Sequence, residues 1–96
     1  MGDIKFLEEL EAIIASRIKD QPEGSYVSKM AKKGLDQVLK KIGEESAEVI
    51  MAAKGGKKEE VIHEAADLIF HLMMVLALQD VSLGEVVDQL RSRHKK

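Results

Sequence analysis

The chain has no cysteine and no tryptophan, a single proline, and one tyrosine and two phenylalanines as its only aromatics. Without cysteine there is no disulfide, no thiolate zinc centre and no cysteine nucleophile, and nothing marks an oxidising compartment, so a cytoplasmic location is expected. One proline and seven glycines in 96 residues exclude collagen-like and Pro/Gly-rich disordered chains. Charge of one sign is missing too. The 15 basic and 17 acidic residues interleave, which leaves no electrostatic footprint for a nucleic-acid duplex, and no nucleic-acid partner is expected. The residues from Gly2 to Phe6 carry neither an apolar signal core nor a myristoylation motif. The most apolar stretch, Ala65 to Leu78, is broken by Asp67 and His71 and falls short of the roughly 18 residues of a membrane span. It reads as a buried helix, and no membrane association is expected.

What is present is helical. Leu, Ile, Ala, Glu and Lys dominate, and no alternating strand pattern occurs. Apolar residues at Phe6, Leu7, Leu10, Ile13, Ile14 and Ile18 predict a first helix from about Asp3, as its N-cap, to Asp20. Ser25 or Ser28 can cap a short basic segment ending at Lys33, before Gly34. Leu35, Val38, Leu39, Ile42, Val49, Ile50 and Ala53 share one face of a third helix, stopped by Gly55-Gly56. A fourth runs from about Lys57 to Gln79, and a fifth from Ser82, with Glu85 at the capping-box position, to about Arg93. The expected fold class is all-α, a bundle of four long helices plus one short one in a single domain over residues 1–96. The fourth helix is apolar in almost every direction. A chain this small cannot enclose it, so a second copy should cover one side, and a homodimer is the simplest assembly.

Three polar residues interrupt that apolar helix. Glu64, Asp67 and His71 stand at i, i+3 and i+7, within about 60° of one another on the helical wheel. Carboxylates pointing into a bundle cost free energy unless a cation or a strong donor meets them. On the third helix Glu45 and Glu48 lie on a flank with Lys41 one turn above, while Glu44 points opposite the apolar face. A lone Glu-Glu-x-x-Glu is usually a solvated face, but two acidic pairs on consecutive helices joined by a Gly-Gly turn make an oxygen cage for a hard cation. Mg²⁺ is expected, with Mn²⁺ as a substitute, and the expected ligands are Glu45, Glu48, Glu64 and Asp67. No Glu-x-x-His pair supports a di-iron site, and no Walker or Gly-x-Gly-x-x-Gly loop is present. Such a magnesium site suits attack of water on a polyphosphate, with Glu44, Glu45 and Glu48 as candidate catalytic carboxylates. Lys29, Lys33, Lys41 and His71 are the candidate substrate contacts, Lys41 favoured by its flank; His71 fits equally well as a donor to the acids or a core histidine.

The motifs Glu44-Glu45-Ser46-Ala47-Glu48 and Glu64-Ala65-Ala66-Asp67 resemble the signature of the MazG-like all-α nucleoside triphosphate pyrophosphohydrolases. Within that superfamily, Pro22-Glu23-Gly24-Ser25-Tyr26, Lys40-Lys41-Ile42-Gly43-Glu44-Glu45 and the run from Glu64 to His71 are similar to the phosphoribosyl-ATP pyrophosphohydrolase family, over nearly the whole chain. The resemblance implies hydrolysis of phosphoribosyl-ATP to phosphoribosyl-AMP and pyrophosphate, a step of histidine biosynthesis, in a stand-alone, dimeric, Mg²⁺-dependent enzyme. It implies metal positions at Glu45, Glu48, Glu64 and Asp67, with Glu44 as an outer or second-metal carboxylate. Val27 departs from the family, where threonine is expected, which takes away a hydroxyl contact to phosphate. Two other readings share these residues: a housecleaning nucleotide pyrophosphohydrolase, and a helical adaptor without catalysis.

Overall fold

A computed structural model describes residues 2–94, and among them there are five α-helices and no strand. They are α1 (Phe6–Asp20), α2 (Tyr26–Lys33), α3 (Leu35–Gly55), α4 (Lys58–Leu78) and α5 (Leu83–Arg93). The expected all-α architecture is therefore observed, with one shift at the beginning. Asp3 does not cap α1: its Oδ1 accepts from the Lys5 amide at 3.0 Å, closing a separate turn, and α1 begins at Phe6 after a helical Lys5. Local hydrogen bonding by an aspartate thus competes with the cap that spacing suggested.

The breaks follow residue chemistry. Right-handed helix is disfavoured for the residue before a proline, and Gln21, which precedes Pro22, ends α1 in the left-handed region at φ 48°. Ser25 is extended and its Oγ accepts from the Ser28 amide at 3.2 Å, capping α2. Gly56, at φ 79°, turns α3 into α4 while its amide bonds back to Ala52. Ser82 and Glu85 form the expected capping box at α5. The Leu83 amide, another orphan donor of that helix end, goes instead to Glu11 Oε2 on α1 at 2.7 Å.

The buried core is small: Ile14, Val27, Met30, Val38, Met73 and Met74, with Leu10, Ile18, Phe70 and Leu78 packed on it. It ties α1, α2 and the first half of α3 to the second half of α4. The most extensive helix pairing is α3 against α4. Of the apolar stripe expected on α3 only Val38 is buried; Leu39 and Ile50 are exposed, as are Ile62, Ile69 and Leu72 on α4. By length and composition alone α4 is long and apolar enough to cross a membrane, a test that a core helix also passes.

The chain is also more open than its mass predicts. Its accessible surface is 7273 Å², against about 5500 Å² for a compact 10.7 kDa monomer. Its radius of gyration is 14.6 Å, against about 12.5 Å for a compact domain of this length. Exposed large apolar side chains of α3 and α4 contribute to that surface.

Candidate metal and active site

The acids predicted from spacing come together across the α3–α4 hairpin. A carboxylate oxygen from each of Glu45, Glu48 and Glu64 lies within 4.8 Å of the others. Gly56 makes this possible, since the tight turn brings the last half of α3 alongside the first half of α4. Glu45 is buried, Glu64 half-buried and Glu48 exposed, so the group opens from the bundle interior to its surface. Oε1 of Glu45 and Oε1 of Glu64 are buried without a hydrogen-bond partner.

Both carboxyl groups are pushed above the ordinary glutamate range. For Glu45 the main cause is burial, with the Asp67 and Glu48 charges adding to it and His71 and Lys41 opposing. For Glu64 it is first a hydrogen bond shared with Glu48, then loss of solvent, then the Glu48 charge. Three converging carboxylates, two of them with a buried oxygen to which nothing donates, are what a hard cation would satisfy. The donor set is all oxygen, which fits magnesium or manganese and lacks the nitrogen and sulfur that select zinc.

Asp67 is one turn along α4 from Glu64, half-buried, with its carboxylate 3.5 Å from His63 Nε2. It stands outside the trio, yet its charge reaches Glu45 and Tyr26. Glu44 faces out, its carboxylate half exposed and 3.8 Å from Lys41 Nζ. Adjacent glutamates on α3 are thus divided, Glu45 inward and Glu44 outward, as the wheel expects. Lys41 pairs with Glu44, and its charge pulls against the raised values of both Glu45 and Tyr26.

Lys29 and Lys33 are not beside the acids. With Lys32, Ser25 and Ser28 they line a shallow hollow of 590 Å³ at the start of α2. Val27, between the two serines, is in the core, so its side chain is unavailable for a phosphate contact. A second hollow, 470 Å³ between α1, the end of α4 and the start of α5, is lined by Glu8, Glu11, Met73 and Leu83 among others and includes none of the acidic trio.

His71 is buried, and both its ring nitrogens are taken. Nδ1 lies 2.8 Å from the Asp67 carbonyl and Nε2 lies 2.7 Å from the Tyr26 hydroxyl. A carbonyl only accepts, so Nδ1 carries the proton and the neutral ring's Nε2 accepts from the phenol. Of the roles open to it, His71 has no ring nitrogen left for a substrate. Tyr26, absent from the candidate residues that spacing singles out, is part of the site: its ring packs edge-on to His71 at 5.6 Å and near Phe70 at 6.0 Å. Two signals were available: it is the only tyrosine, directly after the α2 cap, and it ends the Pro22–Tyr26 segment that carries the family resemblance.

Consecutive antiparallel helices that converge three carboxylates on one point define an all-α protein with an acidic centre that could hold a metal ion. Similarity to known proteins narrows that class. The family model for phosphoribosyl-ATP pyrophosphohydrolase matches residues 7–94. A phosphoribosyl-ATP pyrophosphatase of Metallosphaera sedula is 51% identical over 89 residues, covering 93% of this chain and 96% of that protein. One from Leptospira biflexa is 44% identical over 91 residues, covering 95% and 99%. The histidine biosynthesis bifunctional protein HisIE of Bacillus subtilis is 46% identical over 90 residues, which are 94% of this chain and 43% of that protein. The chain belongs to the phosphoribosyl-ATP pyrophosphohydrolase family.

Proposed function

We propose that this chain hydrolyses phosphoribosyl-ATP to phosphoribosyl-AMP and pyrophosphate in histidine biosynthesis, as a single-domain homodimer that uses Mg²⁺. The observation that carries the chemistry is the buried, unpartnered oxygen of Glu45, whose carboxylate converges with those of Glu48 and Glu64; family membership supports the substrate. Glu45, Glu48 and Glu64 hold the cation, and Asp67 completes the set by giving up its contact with His63. Magnesium, when bound, neutralises charge on the polyphosphate and on the leaving pyrophosphate.

The chain's own groups do the rest. A carboxylate oxygen of Glu45 or Glu48 that the cation leaves free accepts the proton of the attacking water. Lys41, beside the acids, and Lys29 and Lys33, at the start of α2, meet the phosphates as point charges. Glu44 tethers Lys41 from the outer side. Exposed Leu39, Ile50, Ile62, Ile69 and Leu72 supply the face covered by a second copy. The surplus surface is on the scale of the roughly 1000 Å² or more per partner that obligate dimers bury.

The decisive experiment is pyrophosphate release by the purified protein from phosphoribosyl-ATP and from a panel of standard and modified nucleoside triphosphates, with and without Mg²⁺. Mg²⁺-dependent release from phosphoribosyl-ATP alone is expected. Release mainly from free triphosphates would move the protein to nucleotide housecleaning, and none at all would favour a helical adaptor. Sedimentation that gives a monomer at micromolar concentration would remove the dimer.

A further inference from the structure

Beside the acidic trio stands an arrangement that cation binding alone does not explain. It is a buried imidazole whose two nitrogens are both held by the protein, on the same side of the bundle as the unpartnered oxygen of Glu45. His71 Nδ1 is 4.0 Å from Glu45 Oε1, beyond hydrogen-bond reach, and 2.8 Å from the Asp67 carbonyl. A neutral imidazole can carry its proton on either nitrogen. Only the Nδ1–H form turns a donor toward the carbonyl and toward Glu45; the other form would set a lone pair against both. The Asp67 carbonyl, which only accepts, fixes that form; at the far nitrogen the Tyr26 hydroxyl, from α2 and 45 residues away in sequence, donates across 2.7 Å and holds the ring in place.

We propose that Tyr26 is a positioning residue of the cation site: its hydroxyl, donating to Nε2, holds the His71 ring in place, and the held imidazole keeps its Nδ1 edge beside Glu45 and so orients that carboxylate for the cation. This deepens the reading of the trio as a cation site and rests on it. The pieces needed are all rigid. Tyr26 is the first residue of α2, fixed by the Ser25 cap, and its ring stands edge-on to His71 at 5.6 Å. Met73 and Met74 follow in the core, so His71 cannot swing away without disturbing it. Partners that orient a metal ligand from behind typically change affinity by about 10–100-fold when removed.

The experiment is calorimetric titration of Mn²⁺ into cation-free wild-type protein, Tyr26→Phe, His71→Gln and the double variant, with long-range ¹⁵N NMR of the imidazole in the cation-free wild type and Tyr26→Phe. Tyr26→Phe should weaken Mn²⁺ binding about 10-fold and shift the His71 Nε2 resonance as that nitrogen loses its donor, with the proton kept on Nδ1 by the Asp67 carbonyl, while in the double variant the tyrosine change should add nothing to His71→Gln. Phe70→Leu, which removes ring packing and keeps the hydroxyl, should lower the melting temperature and leave Mn²⁺ affinity as in wild type. Three results overturn the proposal: unchanged affinity in Tyr26→Phe, losses that add in the double variant, or an equal loss in Phe70→Leu. A wild-type protein that takes up no Mn²⁺ overturns the cation reading and this inference with it, whereas wild-type binding with an indifferent Tyr26→Phe overturns this inference alone.

Discussion

Glutamates at the two ends of α4 live in opposite surroundings. Near its C-terminal end, at the start of α5, Glu85 Oε2 accepts from the Ser82 amide at 2.8 Å and Glu11 Oε2 from the Leu83 amide at 2.7 Å. Those amides are the orphan donors of a helix N-terminus, and the hydrogen bonds at Ser82 hold the Glu85 carboxyl below its ordinary range. In the N-terminal half of α4, Glu64 meets Glu45 and Glu48 of α3, where buried oxygens find no donor and the Glu45 and Glu64 carboxyl groups are raised. One residue type is thus used in two ways. Where backbone donors end a helix, a carboxylate stabilises the fold; where three carboxylates meet, charge is kept at a cost to stability, as functional sites tend to be.

The contrast can be broken most forcefully at the trio. Glu48→Gln and Asp67→Asn should each fold normally by circular dichroism and lose at least about 100-fold in Mg²⁺-dependent turnover, the upper end of what a merely orienting residue costs. Near-normal turnover in both would remove the acidic centre from catalysis. Next in size is the effect of the cation itself. A ligand at 100 times its Kd stabilises by about 2.7 kcal/mol, so Mg²⁺ in place of EDTA should raise Tm on the order of 10 °C, read by scanning calorimetry. Without any cation, Glu45→Gln should melt a few degrees higher than wild type and should no longer respond to Mg²⁺, because it removes a buried charge that only the cation relieves.

Titration sharpens the same comparison, and the two regions carry opposite signs. Glu45 and Glu64 have folded values raised above the ordinary 4.5. Their contribution is therefore full below about 4.5 and is lost as pH rises through the raised values. Glu85 has a lowered value; its contribution is present above 4.5 and is lost as pH falls through that lowered value. Urea unfolding in EDTA across this range should show stability declining above pH 4.5, a slope that Glu45→Gln flattens, while Glu85→Gln flattens the acid limb alone. The smallest effect is at the cap. Ser82→Ala should cost about 1 kcal/mol and leave both turnover and the Mg²⁺ response intact.

Much of this was legible because it is local. Helices α2 to α5 begin and end within a residue or so of where Ser25, Gly34, Gly56 and Ser82 put them, since caps and left-handed turns are decided by neighbouring residues. The division of Glu44 from Glu45 was legible for the same reason, 100° of rotation per residue. At α1 the expectation failed, because the Asp3 side chain had a nearer amide at Lys5. The α3 stripe failed differently: periodicity says which side chains share a face, but not whether a chain this small can cover that face, and Leu39 and Ile50 stay exposed.

By itself the sequence determined five helices, the acidic pairs at i and i+3 and the side of each helix they occupy, because all of these follow from one helix's geometry and its nearest neighbours. Only the tertiary structure decided that Glu45, Glu48 and Glu64 form the group while Asp67 turns to His63, that Lys29 and Lys33 line a separate hollow, and that Tyr26 reaches His71. Those outcomes depend on the register between helices, which is set by how Ile14, Val27, Val38 and Met74 interlock in the core, and no spacing along a single helix contains that register.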